Sequence, residues 1–297
     1  MMLVHKNEDQ VKRLIRHLSK DFDIYVHIDK RVPIKIQNEK NVFVYKKYKA
    51  YWGSFNQIMA TLYLLGEAYK KQYDRYLLIS GEDLPIKSSE EIIKFFERDQ
   101  NEYITIEKLP TGKHLNAGLN RVTRYWRNKR CSGEKNIIFS IFRRIEITLF
   151  CFINIIRTRP VDYEFYGGVN WFNLTGNCVK SIFEYIGRDK KYIQRFRWTR
   201  CGDEIFYQTI IHKIANLNVI DNCLRYIDRT NGGAHPKTLR EEDYGKIINS
   251  DSLFARKFDI NVDNNIIEAV YKRIHGIENE GRNKKGTAVK YSKTVYA

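Results

Sequence analysis

Apolar and polar positions along the first third of the chain follow two alternating periods. Apolar residues at helical spacing, such as Val11, Leu14 and Leu18, predict amphipathic helices over 8–20, 55–69 and 89–98. Short apolar runs bounded by polar residues predict strands over 2–5, 23–28, 42–45, 76–80 and 103–106. Strands and helices therefore alternate, which predicts an α/β fold with a doubly wound, mostly parallel sheet flanked by helices.

The pattern changes after about residue 110. The stretch over 121–159 is basic and less regular, which indicates an insertion or lid over about 111–160. Regular elements return over about 161–275, including a strand over 224–228 and a last helix over 266–274. The chain length suits one large domain over 1–275, followed by a polar C-terminal tail over 276–297.

The longest apolar stretch, Ile137–Ile156, contains Arg143, Arg144 and Glu146. These charges make it a poor membrane-spanning helix. Two interpretations remain open. An interfacial helix at a membrane surface fits the basic residues on its flanks, and a buried core helix fits the apolar composition equally well.

The chain carries a formal net charge of +17, which favours phosphorylated ligands, anionic lipid or nucleic acid as partners. The basic residues are scattered, and no zinc-finger or RNA-recognition signature accompanies them, so we expect no nucleic-acid partner. The five cysteines are widely spaced and odd in number. They predict neither a disulfide framework nor a zinc site, and they favour a reducing compartment such as the cytoplasm.

Paired acids at Asp203 and Glu204 open the apolar run that begins at Ile205. A carboxylate in the first turn of a partly buried helix is held rigidly and suits general-base catalysis. A helix cap that only complements the helix dipole is the alternative. Two further acidic signals, Asp29 and Glu82-Asp83, follow predicted strands, where α/β sheets bind ligands.

A glycine pair, Gly167-Gly168, leads into an aromatic strand that contains Trp171. The pair permits close approach of the backbone to a ligand, and an ordinary tight turn is the alternative. The Trp171 ring could stack on a sugar, or it could pack in the core. The first strand–helix turn is not glycine-rich, so we expect acids at strand ends, instead of a glycine loop, to bind a nucleotide.

Seven segments occur in an order and spacing that resemble one enzyme family. They are HIDK at 27–30, WGS at 52–54, SGEDLPIK at 80–87, GGVNWF at 167–172, DE at 203–204, RYID at 225–228 and LFARKFD at 253–259. Together they resemble the core-2/I-branching β-1,6-N-acetylglucosaminyltransferase family, which also contains peptide xylosyltransferases. The resemblance extends over about 5–274, nearly the whole chain.

The resemblance implies a GT-A-type fold and transfer of a sugar from a UDP-sugar to a glycan hydroxyl, with inversion at the anomeric carbon. It makes about 1–110 the nucleotide-binding half and about 161–275 the acceptor and catalytic half. The site roles that it implies are a general base at Glu204, donor-diphosphate ligands at Arg225 and Lys257, nucleotide contacts at Asp29 and Asp83, and an acceptor contact at Glu107. Trp171 is a further candidate acceptor contact.

The family works without a metal ion, and the residues agree with this implication. The nearest Asp-x-Asp, Asp21-Phe22-Asp23, precedes a predicted strand instead of ending one. Two fixed cations can replace a metal at a diphosphate, with Arg as a bidentate fork and Lys as a point charge. We therefore expect no cofactor and no metal, with the UDP-sugar as donor substrate.

We expect neither the disulfides nor the membrane anchor that animal Golgi members have. The chain therefore looks like a bacterial version that builds surface polysaccharide from a glycan or lipid-linked acceptor. We expect it at the inner face of the cell membrane, in peripheral contact with anionic lipid. The family default for the donor sugar is N-acetylglucosamine, with xylose, glucose, galactose and glucuronic acid as open alternatives. The alternative function is a non-catalytic basic module that binds nucleic acid or anionic membrane.

Overall fold

The computed structural model describes residues 1–110, 118–126, 137–230, 232 and 235–284. The chain divides into two compact units that interleave in sequence. The first unit comprises Met1–Gly81 and Gln100–Leu224. The second comprises Glu82–Asp99 and Arg225–Ala297. The single catalytic domain expected over 1–275 stays a prediction.

The elements follow one another as short strands and longer helices. The strands are β1 (Met2–Val4), β2 (Ile24–Ile28), β3 (Val42–Tyr45), β4 (Arg75–Leu77), β5 (Ile79–Ser80), β6 (Asp83–Pro85), β7 (Glu102–Ile104), β8 (Glu107–Lys108), β9 (Tyr166–Gly167), β10 (Phe172–Thr175), β11 (Val219–Ile220), β12 (Arg225–Ile227) and β13 (Phe254–Arg256). The helices are α1 (Glu8–Leu18), α2 (Phe55–Tyr69), α3 (Ser89–Glu97), α4 (Asn120–Thr123), α5 (Ile137–Ile156), α6 (Gly176–Arg188), α7 (Lys190–Arg195), α8 (Asp203–Lys213), α9 (Tyr244–Ile248) and α10 (Asn264–Lys284).

A parallel sheet forms the amino-terminal part of the first unit. Its strand order is β3-β2-β1-β5, and every neighbouring pair is parallel. All five residues of β2 are buried, as expected for a parallel sheet covered on both faces. Helix α1 contributes Val11, Leu14 and Leu18 to the core, as the helical spacing predicted. The predicted α/β architecture with a mostly parallel sheet is confirmed.

A second sheet in the first unit is mixed, with the strand order β11-β7-β10-β4. Strand β10 runs antiparallel to both of its neighbours, whereas β11 and β7 are parallel. The single strand predicted over 76–80 is divided between the two sheets. The N–H of Leu78 donates to the carbonyl of Phe172 at 3.0 Å, and the N–H of Ile79 donates to that of Met1 at 3.0 Å. The chain therefore changes sheets at Leu78.

The second unit contains a three-stranded sheet with the order β12-β13-β6. Strands β12 and β13 are parallel, and β13 and β6 are antiparallel. Helix α3 begins with a capping box, in which the Ser88 hydroxyl accepts from the Glu91 N–H and the Glu91 carboxylate accepts from the Ser88 N–H. Helix α10 continues to Lys284, beyond the predicted end at 274.

Parts of two sequence predictions lie outside the described residues. They concern 111–117 and 127–136 of the basic insertion, and 285–297 of the tail. Within the described part of the chain, the helices include none that is long and apolar enough to cross a membrane. Helix α5 has the predicted bounds. The interpretation of this helix as a buried core helix is wrong over 144–156, since most of the apolar side chains in that range are exposed.

Candidate functional site

Helix α8 begins at Asp203, so the paired acids occupy its first turn as predicted. The next seven residues of the helix, Ile205 through Ile211, are all buried. Glu204 precedes this run, and its side chain remains 32% exposed. The first turn thus holds one partly exposed carboxylate next to a buried and rigid stretch of helix, which is the setting that a general base requires.

The glycine pair connects Glu204 to Glu107 through the backbone. The N–H of Gly168 donates to the carbonyl of Glu204 at 2.9 Å. One residue earlier, Gly167 pairs with Glu107 across the antiparallel strands β8 and β9. A Cβ on Gly168 would lie 1.9 Å from the carbonyl oxygen of Thr105, so only glycine fits. The two acids are therefore attached to one turn, and the close approach is to the chain's own backbone.

Arg121 in α4 is the direct partner of the Glu204 carboxylate, with a distance of 2.7 Å from Nη2 to Oε2. The same guanidinium donates to the carbonyls of Arg200 and Cys201, which end the loop before α8. Its three acceptors fix the orientation of the carboxylate. Sequence reasoning missed Arg121, because the only signal was its place in a stretch rich in arginine.

Asp203, the other acid of the pair, is buried, whereas Glu204 is partly exposed. Burial raises the pKa of the Asp203 carboxyl to about 7, the negative charge of Glu204 adds to this effect, and the charge of Arg121 opposes it. One carboxyl oxygen, Oδ1, has no hydrogen-bond partner among the described atoms. The Asp203 carboxyl is therefore mostly neutral at mildly acidic pH.

Asp203→Asn is expected to raise the melting temperature at pH 8 by a few °C. A raised pKa in the folded state means that the stabilising contribution of Asp203 is fully present below the unfolded value of 3.8 and is lost as the pH rises through about 7. The gain in the variant should therefore shrink between pH 8 and pH 4. Thermal melts of both proteins across this range test the prediction, and a gain that does not depend on pH would contradict it.

Asp29 follows β2 directly, at the carboxyl end of the strand, as predicted. It is buried, and its carboxylate binds the guanidinium of Arg31 through both oxygens, at 3.0 and 3.1 Å from Nε. Burial alone would raise the pKa of Asp29, but the hydrogen bonds and charge of Arg31 outweigh it and lower the pKa. Arg31 also lies 3.9 Å above the Tyr51 ring. Asp29 is therefore an anion with a fixed partner.

The segment 52–54 directly follows Tyr51 and contacts the loop that precedes helix α8. Gly53 has a φ of 66°, and a Cβ there would lie 2.8 Å from Sγ of Cys201. Its carbonyl accepts from the N–H of Cys201 at 2.8 Å. The resemblance singled out this segment, and the structure supplies a physical reason for its glycine.

The remaining candidate of the first unit, Trp171, is 8% exposed. This burial favours the core-packing interpretation, and a role in acceptor binding stays a prediction.

The candidate cations Arg225 and Lys257 both belong to the second unit. Arg225 begins β12, is 6% exposed, and holds its guanidinium 5.1 Å from the centre of the Phe254 ring. Lys257 directly follows β13 and is half-buried. Arg225 pairs with Phe254 in the sheet, so the two cations are three residues apart in register, or roughly 10 Å along the strands.

A third cation, Lys237, lies next to Lys257 in the fold. The N–H of Leu239 donates to the carbonyl of Lys257 at 2.9 Å, and the Lys237 ammonium contacts Asp243 at 2.8 Å. Sequence reasoning did not single out Lys237, because nothing in its local pattern shows that the loop after β12 returns to β13. It is a candidate ligand for the same anion as Lys257.

Asp83, predicted near the nucleotide, is fully buried at the start of β6. Its carboxylate lies 3.1 Å from Nε of Arg256, which is its partner across the antiparallel pair β13–β6. This ion pair gives Asp83 a role inside the second unit. A contact with the nucleotide stays a prediction.

The Asp-x-Asp at 21–23 lies immediately before β2, at the amino end of the strand. Asp23 accepts a hydrogen bond from the Tyr73 hydroxyl. Among the described residues, no group of three or more His, Cys, Asp or Glu side chains is arranged to hold a metal ion.

The chain is similar in sequence to one family of known proteins. The profile of the family described as Core-2/I-Branching enzyme matches residues 1–249. Xylosyltransferase 2 of Pan troglodytes is 23% identical over 93% of this chain and 33% of its own length. The N-acetyllactosaminide β-1,6-N-acetylglucosaminyl-transferase of Mus musculus is 22% identical over 88% of this chain and 68% of its own length.

The chain thus spans about a third of the length of the xylosyltransferases that it matches. The family profile covers most of the chain, including the parallel sheet, the glycine pair and the acids of α8. The chain therefore belongs to the core-2/I-branching enzyme family, a family of glycosyltransferases with a GT-A-type fold.

Proposed function

We propose that this protein is an inverting glycosyltransferase that moves a sugar from a UDP-sugar to a hydroxyl group of a glycan. The observation that carries the proposal is the placement of Glu204. Its carboxylate is partly exposed, oriented by Arg121 at 2.7 Å, and attached through Gly168 to the turn that also carries Glu107. In an enzyme of this family, this arrangement suits a base that meets an acceptor hydroxyl.

The proposed reaction is a single displacement at the anomeric carbon. The Glu204 carboxylate takes the proton of the acceptor hydroxyl, whose oxygen attacks that carbon from the face opposite the UDP. The bond between the carbon and the phosphate oxygen breaks, and UDP leaves with the electron pair. An α-linked donor thereby gives a β-linked product. Glu107 is the proposed acceptor contact beside the base.

The departing UDP gains negative charge as the bond breaks, so a cation must stabilise it. We assign this role to Lys257 and Arg225, as the family resemblance implies. Lys257 is half-buried and has Lys237 in the adjacent loop segment, which supports a cationic environment. Asp29 is the proposed contact to the nucleotide, because it lies at the carboxyl end of β2, where α/β sheets bind ligands.

We further propose that the reaction needs no metal ion. The support is positional, since the Asp-x-Asp at 21–23 precedes β2 and Asp23 is hydrogen-bonded to Tyr73. We expect the rate of UDP release to be unchanged, within about twofold, by excess EDTA. Loss of the activity in EDTA, followed by its recovery with Mn²⁺, would contradict metal independence and leave the transferase assignment standing.

The donor sugar proposed first is N-acetylglucosamine. A screen of UDP-linked N-acetylglucosamine, xylose, glucose, galactose and glucuronic acid for UDP release tests the function directly. We expect one donor to be hydrolysed at least about tenfold faster than the others, because a sugar pocket discriminates by its hydrogen bonds. Absence of UDP release from every donor would contradict the proposed function.

The wider setting is also a proposal. A net charge of +17 suits work close to anionic lipid, and the cytoplasmic face of a bacterial membrane would supply both nucleotide sugars and lipid-linked acceptors for surface polysaccharide. A non-catalytic basic module remains the competing function. Stabilisation by UDP in a thermal melt, without stabilisation by DNA of equal charge, would favour the enzyme.

A further inference from the structure

An ordinary amphipathic surface helix turns its apolar side chains toward the protein and its polar side chains toward solvent. Helix α5 does the reverse over much of its length. Its described contacts with the rest of the first unit include Phe150, whose ring lies 5.9 Å from that of Trp198, and Asn154, whose amide exchanges hydrogen bonds with the backbone of Tyr125. These residues are one helical turn apart and define the inner face. The most polar contact of the helix therefore points toward the protein.

The outer face of α5 is apolar. Ile145, Leu149, Phe152 and Ile156 recur there at helical spacing and are 59%, 52%, 58% and 68% exposed, and Ile147 and Ile155 add exposed apolar surface to the same helix. Isolated exposed apolar side chains are common, but a continuous row on one helix marks an interaction surface. We call the four residues of this row the outer face.

Exposed basic side chains lie at the two ends of this row and next to Trp198, which contacts the inner face of α5. Arg144 and Arg157 are exposed at its two ends. Arg197 and Arg200 are exposed on either side of Trp198, which is itself 40% exposed and packs against Phe150. Glu146 is the acid within the same stretch of α5. An apolar row with a tryptophan beside it and arginines around it is the pattern of an interfacial helix.

We propose that the outer face of α5 inserts into the headgroup region of an anionic lipid bilayer, with the surrounding arginines bound to lipid phosphates. The charge decides in favour of lipid, because an apolar row with an exposed arginine at each end, and with two further exposed arginines next to Trp198, suits a surface that is apolar below and negative above. Since α5 is not a spanning helix, the attachment is peripheral. The inference does not depend on the catalytic assignment.

Vesicle flotation of the whole chain tests the proposal. We use neutral phosphatidylcholine vesicles and vesicles that also contain phosphatidylglycerol. Binding should be at least about tenfold tighter on the anionic vesicles at low salt, since each arginine near the surface contributes about fivefold. It should weaken toward 1 M NaCl, where charge attraction is screened beyond about 3 Å. Equal binding to both vesicles, or none, would overturn the proposal.

Three variants separate insertion from charge. Leu149→Glu with Phe152→Glu should reduce binding to anionic vesicles at least about tenfold, because each places a carboxylate in the apolar row. For a comparison at equal added charge, Leu149→Glu alone is set against Val262→Glu, which changes an exposed valine (39%) in the second unit and should bind as the parent does. If these two single variants lose binding equally, the added charge alone is responsible and the outer face is not the site.

A second copy of the chain is the competing occupant. If it covers the outer face, light scattering should show a dimer that the double variant dissociates, with no binding of the parent to vesicles. That result would overturn the proposal. UDP release from a soluble UDP-sugar should be the same in parent and double variant, so a failure of lipid binding remains distinguishable from a failure of the catalytic assignment.

Discussion

Glu204→Gln is expected to lower kcat by about 10²–10⁴-fold, the usual contribution of general-base catalysis. The amide is nearly isosteric with the carboxylate but cannot take a proton from the acceptor hydroxyl. It can still accept the hydrogen bond from Arg121, so the loop before α8 should keep its structure. Affinity for UDP, measured by calorimetry, should therefore change by less than about threefold, which separates loss of chemistry from loss of binding.

The matched control is Glu184→Gln on α6. Glu184 is an exposed helical glutamate that pairs with Arg188 one turn away, so its loss should cost almost no stability and no activity. Turnover of Glu204→Gln within about threefold of the parent would remove Glu204 from the role of base. Loss of turnover in both variants would point to a general effect of charge instead.

The second large effect is expected at the donor cations. Lys257→Ala and Arg225→Ala each remove a charge-assisted contact worth about 1.5–3 kcal/mol, which corresponds to about 10–150-fold in kcat/KM for the donor. Acceptor KM should hardly change. The charge on the leaving UDP grows toward the transition state, so kcat should fall as well. Initial rates with the donor and acceptor varied separately measure both parameters.

Arg225 and Lys237 compete as the partner of Lys257, and the variants distinguish them. Arg225 is 6% exposed beside Phe254, whereas Lys237 lies in the loop segment bonded to Lys257. If Arg225 binds the diphosphate, Arg225→Lys should recover only part of the loss, because a point charge lacks the bidentate fork. A normal Arg225→Ala together with an impaired Lys237→Ala would transfer the assignment to Lys237. Normal donor kinetics in all three Ala variants would contradict cationic replacement of a metal.

The local sequence pattern was sufficient to predict those helices and strands whose apolar spacing and flanking residues lie within a short stretch of chain. Helix α2 has the predicted bounds because its apolar residues have clear helical spacing and polar residues flank it. The division of the predicted strand at Leu78 could not be predicted from the local sequence pattern. It depends on a hydrogen bond to Phe172, almost a hundred positions later, and no local preference encodes a partner at that distance.

The candidate site shows the same limit. The position of Glu204 in the first turn of α8 follows from the sequence, because the acids open an apolar run. Its pairing with Arg121 does not, since the two residues are 83 positions apart. Close approach of a ligand to the glycine pair stays a prediction, because Gly168 meets the backbone of Thr105, and this contact alone explains its glycine.

The stereochemistry of donor hydrolysis tests the central claim most directly. With water as the acceptor, the wild-type protein should convert an α-linked UDP-sugar in the presence of EDTA, and proton NMR should record the free sugar first as the β anomer, before mutarotation. Inversion requires attack on the face opposite UDP, which is the role given to Glu204. The Glu204→Gln protein should form this product at least about a hundredfold more slowly. Initial release of the α anomer would contradict the account.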